Sequence, residues 1–471
     1  MLVLIGFLRL WENNLQLDSI NPKNNQIINS WDIQGIDEVN LKLEKARDAY
    51  LEWRNTDLSF RISCLENLSE ILRDRSRENG VLMADEMGKP LSQGIAEVEK
   101  CAWLCDYYSQ NSSAFLNPKN IDTDNYKSLI TFQPIGLILG VMPWNFPFWQ
   151  VFRFAVPSLT AGNGAVLKHA SNVQGCAKAI EDCFIDAGYY ENIFSNLCIP
   201  GNQVAPVIEN HNIAAVTLTG STPAGVSVAK KAGECLKKTV LELGGSDPYV
   251  VLDDADIDIA VDACIAGRIL NTGQSCIAAK RLIVTELNEA EFIKKLKNKL
   301  SLKIMGDPLD DVDIGPMVSN SAREEVHNQV KRSIESGATL VAGGEIPDIK
   351  GAYYPLTILT GVTPGMAAFD EEIFGPVFTV ITAKNNDEAI ELANNTEFGL
   401  GSAIFTKNVK EGEEIAKTKM QSGVCFVNDF VKSDPRLPFG GIKMSGYGRE
   451  LSNYGMMEFV NIKTVVVKSD S

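Results

Sequence analysis

Apolar residues recur every three or four positions through Leu58, Ile62, Leu65, Leu68 and Leu72, the stripe of an amphipathic helix with its core face inward. Roughly the first hundred residues carry mainly this helical spacing. From residue 134 the texture changes. Short apolar runs (Ile135 to Met142, Ala165 to Leu167, Ala214 to Thr219, Thr239 to Leu241, Tyr249 to Leu252) alternate with helical segments, which predicts a mostly parallel sheet covered by helices. A second alternating set follows: Arg281 to Thr285, Val377 to Thr382, Ser402 to Thr406 and Val424 to Asn428. The economical reading is an α/β fold in two α/β units, joined near the glycine pair Gly244-Gly245. No internal repeat, low-complexity tract or Pro-rich linker interrupts it.

Composition narrows the setting. With 471 residues, 45% hydrophobic and 22% charged, the chain has enough length for two or three globular domains. A formal charge of -16 argues against nucleic acid or an anionic membrane as partner, because phosphate binding relies on clustered Lys and Arg. The ten cysteines make no metal-like array. Cys101 and Cys105 form a single Cys-x-x-x-Cys without nearby histidines, and scattered thiols suit a reducing cytoplasm. Only His169, His211 and His327 occur, which disfavours a histidine triad or zinc site. The apolar start, Met1 to Leu10, is too short to span a bilayer and lacks a basic leading region and a small-x-small cleavage site. It reads as an extra leader ahead of the folded domain.

The candidate chemistry is a thiol and a carboxylate. Cys276 ends Asn271-Thr272-Gly273-Gln274-Ser275-Cys276, a small and polar run before the strand-like Lys280 to Val284, so a loop presents the sulfur ahead of a buried strand. A free thiol has a pKa of about 8.5, so attack on carbon at neutral pH needs a base or a dipole. Glu242, in Leu241-Glu242-Leu243-Gly244-Gly245, is positioned to help the thiol or to activate a water. Pro143-Trp144-Asn145-Phe146-Pro147 ends an apolar strand in a turn stiffened by two prolines. Asn145 either closes that turn or aims an amide N–H at a reacting carbonyl oxygen, a role typically worth ~3 kcal/mol. Gly220-Ser221-Thr222-Pro223-Ala224-Gly225 joins a strand to a helix and reads equally as a phosphate-binding helix start or a simple tight turn.

Together these segments resemble a known family. Pro143 to Pro147, Leu167-Lys168-His169-Ala170, Gly220 to Gly225, Glu242 to Gly245, Gly273 to Cys276, Glu371-Glu372-Ile373-Phe374-Gly375-Pro376 and Pro438-Phe439-Gly440-Gly441 stand in the order and spacing of the aldehyde dehydrogenase superfamily. The resemblance covers roughly residue 17 to the C-terminus. Val141 to Trp144, Gln150 to Arg153 and Gly175-Cys176-Ala177 look most like bacterial and archaeal succinate-semialdehyde dehydrogenases. The resemblance implies NAD(P)-dependent oxidation of an aldehyde to a carboxylic acid. Cys276 would form a thiohemiacetal whose oxygen is held by its own N–H and by Asn145, and Glu242 would deprotonate the water that hydrolyses the thioester. That carboxylate argues against transfer to coenzyme A. With any of the three lost, a non-catalytic cofactor-binding or structural protein would be favoured.

For the cofactor, the resemblance implies that Lys168 bonds the adenosine ribose, Glu372 holds the nicotinamide ribose and Phe374 packs alongside. Met142, Pro143, Trp144, Gly220, Ser221, Leu243 and Gly244 complete that site. Without the family context, Lys168 and Glu372 would read as solvated charges. Ser171, three residues after Lys168, stands where NAD-preferring relatives often carry glutamate, and so permits NADP as well as NAD; it also reads as a helix N-cap.

For the substrate, Arg153 falls nine residues after Trp144, where relatives grip a distal carboxylate with forked donors. A second arginine often found six residues before the cysteine is Leu270 in this chain, and the redox-control cysteine pair is replaced by Ile277 and Ala278. The expected substrate is succinate semialdehyde, with Trp144, Trp149 and Phe439 lining a tunnel that also admits other short aldehydes.

The architecture implied is a Rossmann-like cofactor domain (residues 1–117 and 134–243), a catalytic domain (244–443) and a small β arm (118–133 and 444–471) with a terminal strand from Asn461 to Lys468. The β-branched Thr464-Val465-Val466-Val467 would be a sticky free edge, so a homodimer or homotetramer is expected.

Overall fold

The computed structural model describes residues 16–468, so the apolar leader Met1 to Leu10 lies outside the described residues. The chain begins with an antiparallel hairpin, Gln16–Asn21 and Gln26–Asp32, where helix was expected. Its inward positions are Leu17, Ser19 and Asn21, two of them polar, so no hydrophobic alternation marks the strand. Ser19 donates to Glu86 at 2.6 Å and Asn21 to Asp85 at 3.0 Å, so these side chains replace apolar contact by hydrogen bonds. Four helices follow: Ile36–Trp53, Leu58–Asp74, Ser76–Met87 and Leu91–Phe115. In the second, Leu65, Leu68 and Leu72 are fully buried, while Leu58 and Ile62 at its start are half-buried.

Two sheets dominate the rest. The six-stranded sheet runs in the spatial order Gly446–Tyr447, Lys238–Glu242, Ile213–Thr219, Leu137–Val141, Gly164–Lys168, Phe194–Asn196. All its pairings are parallel except the outermost, Gly446–Tyr447 with Lys238–Glu242. Its order reverses between Leu137–Val141 and Ile213–Thr219, and a crevice beyond the carboxyl ends of two such strands is where open α/β sheets bind ligands. The helix Trp149–Thr160 is buried along its whole length, and Phe154 packs against Gly140, where a Cβ would collide with the ring.

The seven-stranded sheet is built from Thr339–Ala342, Thr357–Thr360, Val377–Ala383, Arg281–Thr285, Pro248–Val251, Gly401–Phe405 and Val424–Val427, in that order. Only its edge pair, Thr339–Ala342 with Thr357–Thr360, is antiparallel. The chain leaves one sheet at Glu242 and enters the other at Pro248, so the Leu243 to Asp247 link joins the carboxyl end of one strand to the amino end of the next. That juxtaposition brings the switch-point crevice against the loops that precede Arg281 and Val377.

A third sheet is antiparallel, with Val460–Val467 paired to Lys127–Pro134 and the latter to Lys119–Ile121. Residues 446–447 and the helix Ser452–Glu458 lie outside it, the former as the edge of the six-stranded sheet. Among the described residues, no helix is long and apolar enough to cross a membrane and no cluster of His, Cys, Asp or Glu suits a metal.

Candidate active site

The turn after Leu137–Val141 is fastened from three sides. His169 approaches Pro147 O through Nε2 at 3.0 Å and accepts the Ala170 N–H on Nδ1 at 2.9 Å. Burial holds the ring's pKa down at about 4, so it stays neutral and keeps one donor and one acceptor. Lys89, buried and ion-paired with Glu97, donates to Asn145 O at 2.9 Å. The other Glu97 oxygen accepts the N–H groups of Phe148 and Trp149 at 2.9 and 3.0 Å. Asn145 itself donates from Nδ2 to Gln274 O at 3.1 Å. That uses one of its two amide hydrogens and leaves the second for a ligand oxygen.

The Cys276 loop is held in a conformation it would not choose. Asn271, Thr272 and Gly273 have φ of 53°, 55° and 75° in succession. Left-handed backbone at the two non-glycine residues costs on the order of 1–3 kcal/mol each, and Thr272 is β-branched. The surroundings impose it. Gln93 accepts Asn271 N–H at 2.7 Å, Asn271 Nδ2 reaches Asn145 O at 2.8 Å and Gln274 O at 3.1 Å, and Thr272 Oγ1 exchanges bonds with Gly315 at 3.1 and 3.2 Å. Lys280 completes the clamp: its buried ammonium donates to Ser275 O at 2.8 Å and Cys276 O at 2.6 Å, and pairs with Glu372 at 3.0 Å. Burial pushes the Cys276 thiol up to about 12; the charges of Lys280 and Arg153 pull it down, while Glu372 and Asp247 oppose them.

Cys276 lies where two cavities meet, and among the described residues it is the one side chain that lines both. The larger, about 490 Å³, opens at the switch point. Pro143, Trp144 and Asn145 form one wall, Gly220, Ser221, Leu243 and Gly244 another, and Glu372 and Phe374 the side nearest Lys280. The Phe374 and Trp144 rings meet edge to face, centroids 5.9 Å apart. Ser221 is the N-cap of the helix Thr222–Glu234 and accepts the Ala224 N–H, so the helix start faces the cavity. Thr219 Oγ1 is buried there without a partner, and Gly245 N–H donates to Glu372 at 3.1 Å. Met142, Lys168 and Ser171 are not in its walls: Met142 is buried beneath the turn, with its N–H on Lys168 O at 3.0 Å. Burial alone, with no counter-charge beside it, lowers the pKa of Lys168. The N-cap expectation for Ser171 is corrected, since Ala170 precedes the short turn Ser171–Val173, Val173 precedes the helix, and neither end has a side-chain cap.

The smaller cavity, about 280 Å³, is walled by Trp149, Arg153, Leu270, Ile277, Phe430 and Phe439. Trp149 Nε1 donates to Ser433 Oγ at 3.1 Å. Arg153 is buried, lies 4.9 Å from the Phe439 ring centroid and pairs through Nε with Glu450 at 2.7 Å, while its Nη2 has no partner.

Glu242 departs from the simplest expectation. It borders neither cavity, is 2% exposed, and has no hydrogen bond on either oxygen. Its Oε1 sits so close to Gly440 that a Cβ there would stand 2.7 Å away. Burial, then the neighbouring Glu450, holds its pKa well up; Arg153 and Arg449 oppose this. It lies outside the space that Cys276 shares with the two cavities. Sequence reasoning missed Lys89, Glu97, Lys280 and Glu450. Lys280 alone left a local trace, a cation four residues past the cysteine at the head of an apolar strand.

A thiol between a crevice at a strand switch point and a small apolar chamber is the arrangement of an α/β protein with a reactive group at the mouth of a ligand cleft. The aldehyde dehydrogenase family model matches residues 11–465, and the chain belongs to that family. The succinate semialdehyde dehydrogenase [NAD(P)+] Sad of Escherichia coli K12 is 44% identical over 448 residues, covering 95% of this chain and 97% of that protein. A probable succinate-semialdehyde dehydrogenase [NADP(+)] of Synechocystis is 45% identical over 452 residues, covering 96% and 99%. The crystal structure of succinic semialdehyde dehydrogenase from Streptococcus pyogenes in complex with NADP+ superposes with a TM-score of 0.94 at 37% identity, covering 96% and 100%. Lactaldehyde dehydrogenase from Escherichia coli gives 0.93 at 29% identity, covering 98% and 97%.

A raised thiol pKa means the thiolate fraction grows with pH. Carbamidomethylation of Cys276 in the cofactor-free protein, followed by mass spectrometry of its peptide, is expected to keep accelerating through pH 9; a plateau near neutral pH would contradict the burial argument.

Proposed function

We propose that this protein oxidises an aldehyde bearing a distal carboxylate, succinate semialdehyde foremost, to the corresponding acid, with NADP or NAD as hydride acceptor. The observation that carries this is the position of Cys276 in the walls of both cavities, since sulfur, cofactor cleft and substrate chamber must share one point for hydride to pass. The cleft fits the cofactor: the helix Thr222–Glu234 begins in its wall and turns its positive dipole end towards a pyrophosphate, and Glu372 offers an acceptor to a ribose. When bound, the nicotinamide supplies the site that takes the hydride.

The chain's own residues do the rest. The Cys276 thiolate adds to the aldehyde carbon, and the second Asn145 amide hydrogen and the Cys276 N–H stabilise the alkoxide of the thiohemiacetal. Loss of hydride leaves a thioester on Cys276. Glu242, swung towards the sulfur and ionised there, takes a proton from water as its carboxylate while the water attacks; the acid leaves and the Cys276 thiolate is displaced. Lys168 and Ser171 are the residues that would face the adenosine ribose. Ser171 brings no negative charge against a 2'-phosphate, and the NADP of the Streptococcus pyogenes complex supports the same tolerance.

Arg153 supports the carboxylated substrate as a cation in the wall of the small chamber. All ten cysteines are unpaired, which supports a reducing compartment such as the cytoplasm. The strand Val460–Val467 is the edge of its sheet and exposes Ile462 and Val466 to more than half of their surface (58% and 52%), which supports a homodimer or homotetramer.

With succinate semialdehyde, glutarate semialdehyde and an uncharged aldehyde of similar length, the carboxylated substrates are expected to reduce NADP or NAD faster without coenzyme A. Equal rates would discard the substrate assignment. Ser171→Glu is expected to lower kcat/KM for NADP by about tenfold or more while sparing NAD, from repulsion of a 2'-phosphate; an unchanged ratio in steady-state kinetics would remove Ser171 from cofactor choice. Light scattering is expected to give two or four times the 51.5 kDa chain mass, and a monomer would contradict the covered edge.

A further inference from the structure

The small chamber carries a charge that its own walls do not neutralise. Its lining includes Lys100, Arg153, Lys432 and Glu97. Three of these are already matched: Glu97 by Lys89, Arg153 by Glu450 at 2.7 Å, and Lys432 by Asp429 at 2.6 Å. Lys100 is in no ion pair among the described residues. Its ammonium donates to Ser433 Oγ at 2.9 Å and lies 4.4 Å from the Trp149 ring centroid, on the helix Leu91–Phe115. An ammonium has three donors, so two remain beyond Ser433. Trp149, Leu270, Phe430 and Phe439 give the chamber apolar walls, which strengthens any ion contact within.

We infer that Lys100 is a specificity-determining residue: with Arg153 charge-matched by Glu450, Lys100 supplies the net positive charge that receives the distal carboxylate of the aldehyde. Arg153 then contributes to the chamber wall a charge already matched by Glu450, while the compensating charge comes from the lysine. This rests on the carboxylated-aldehyde reading above. It also carries a pH signature. Burial, then the charge of Arg153 on the helix Trp149–Thr160, lowers the pKa of Lys100 to about 8; Cys101 and Glu97 on its own helix and Asp434 on the loop after Val427 oppose that. Lys432 is a further cation facing the chamber from that loop. As pH rises through this value the ammonium loses its proton, so the advantage of a carboxylated aldehyde declines while Cys276 chemistry, common to all aldehydes, cancels in a ratio.

The test is the ratio of kcat/KM for succinate semialdehyde to that for butyraldehyde, measured for wild type, Lys100→Gln and Lys100→Arg between pH 7 and 9.5. Loss of a charge-assisted contact is expected to lower the ratio about ten- to a hundredfold in Lys100→Gln, mainly through KM. Lys100→Arg is expected to restore it and to remove its decline at high pH. A high wild-type ratio that Lys100→Gln leaves intact overturns the role of Lys100 and spares the substrate reading. Equal loss for both aldehydes assigns Lys100 a structural part and also overturns it. A wild-type ratio near one overturns the substrate reading itself, and this inference with it.

Discussion

The ammonium of Lys280 ties the two halves of the site together. It is buried, it takes the carbonyls of Ser275 and Cys276, and it pairs with Glu372 across the cofactor cleft. A charge in that position has a large desolvation cost unless every donor is used, and removing one partner of a buried pair typically costs about 3–5 kcal/mol. The left-handed run Asn271 to Gly273 depends on the same neighbourhood, because its strain persists only while the surrounding bonds hold it. The thiol loop and the Glu372 carboxylate are therefore set by one cation, and a shift of either is felt by both.

A second constraint is electrostatic crowding behind the chamber. Glu242 and Glu450 are both buried within the influence of Arg153, and the guanidinium is committed to Glu450. Burial raises both carboxyls, but only Glu450 has a partner to offset it. Glu242 is left without hydrogen bonds, a costly place for a polar group. Gly440 leaves room for it; a side chain there would occupy the space of Glu242 Oε1.

Much of the fold could be read from the chain because its main strands are unbroken apolar runs. Arg281 to Thr285 appears with the expected bounds, and the other central strands shift by a residue or two at their ends. The hairpin Gln16–Asp32 was not legible: Ser19 and Asn21 are buried by hydrogen bonding to Glu86 and Asp85, a pairing fixed by partners more than sixty residues away. The site divides in the same way. Motif residues such as Asn145, Gly220 and Phe374 sit on sharp turns at strand ends, where composition betrays them. Glu450, Lys100 and the Lys89–Glu97 pair come from helices and loops with ordinary polar composition, and only the packing of Trp149–Thr160 against Leu91–Phe115 and the ion pairs it brings together reveal them.

The central claim is that Cys276 carries the acyl group and Glu242 releases it. Intact-protein mass spectrometry of Glu242→Gln, quenched during reaction with succinate semialdehyde and NADP, tests this most directly. The expected result is a succinyl thioester accumulating on Cys276, absent in Cys276→Ser, after a first turnover that forms NADPH. An unmodified enzyme that turns over at the wild-type rate would contradict it.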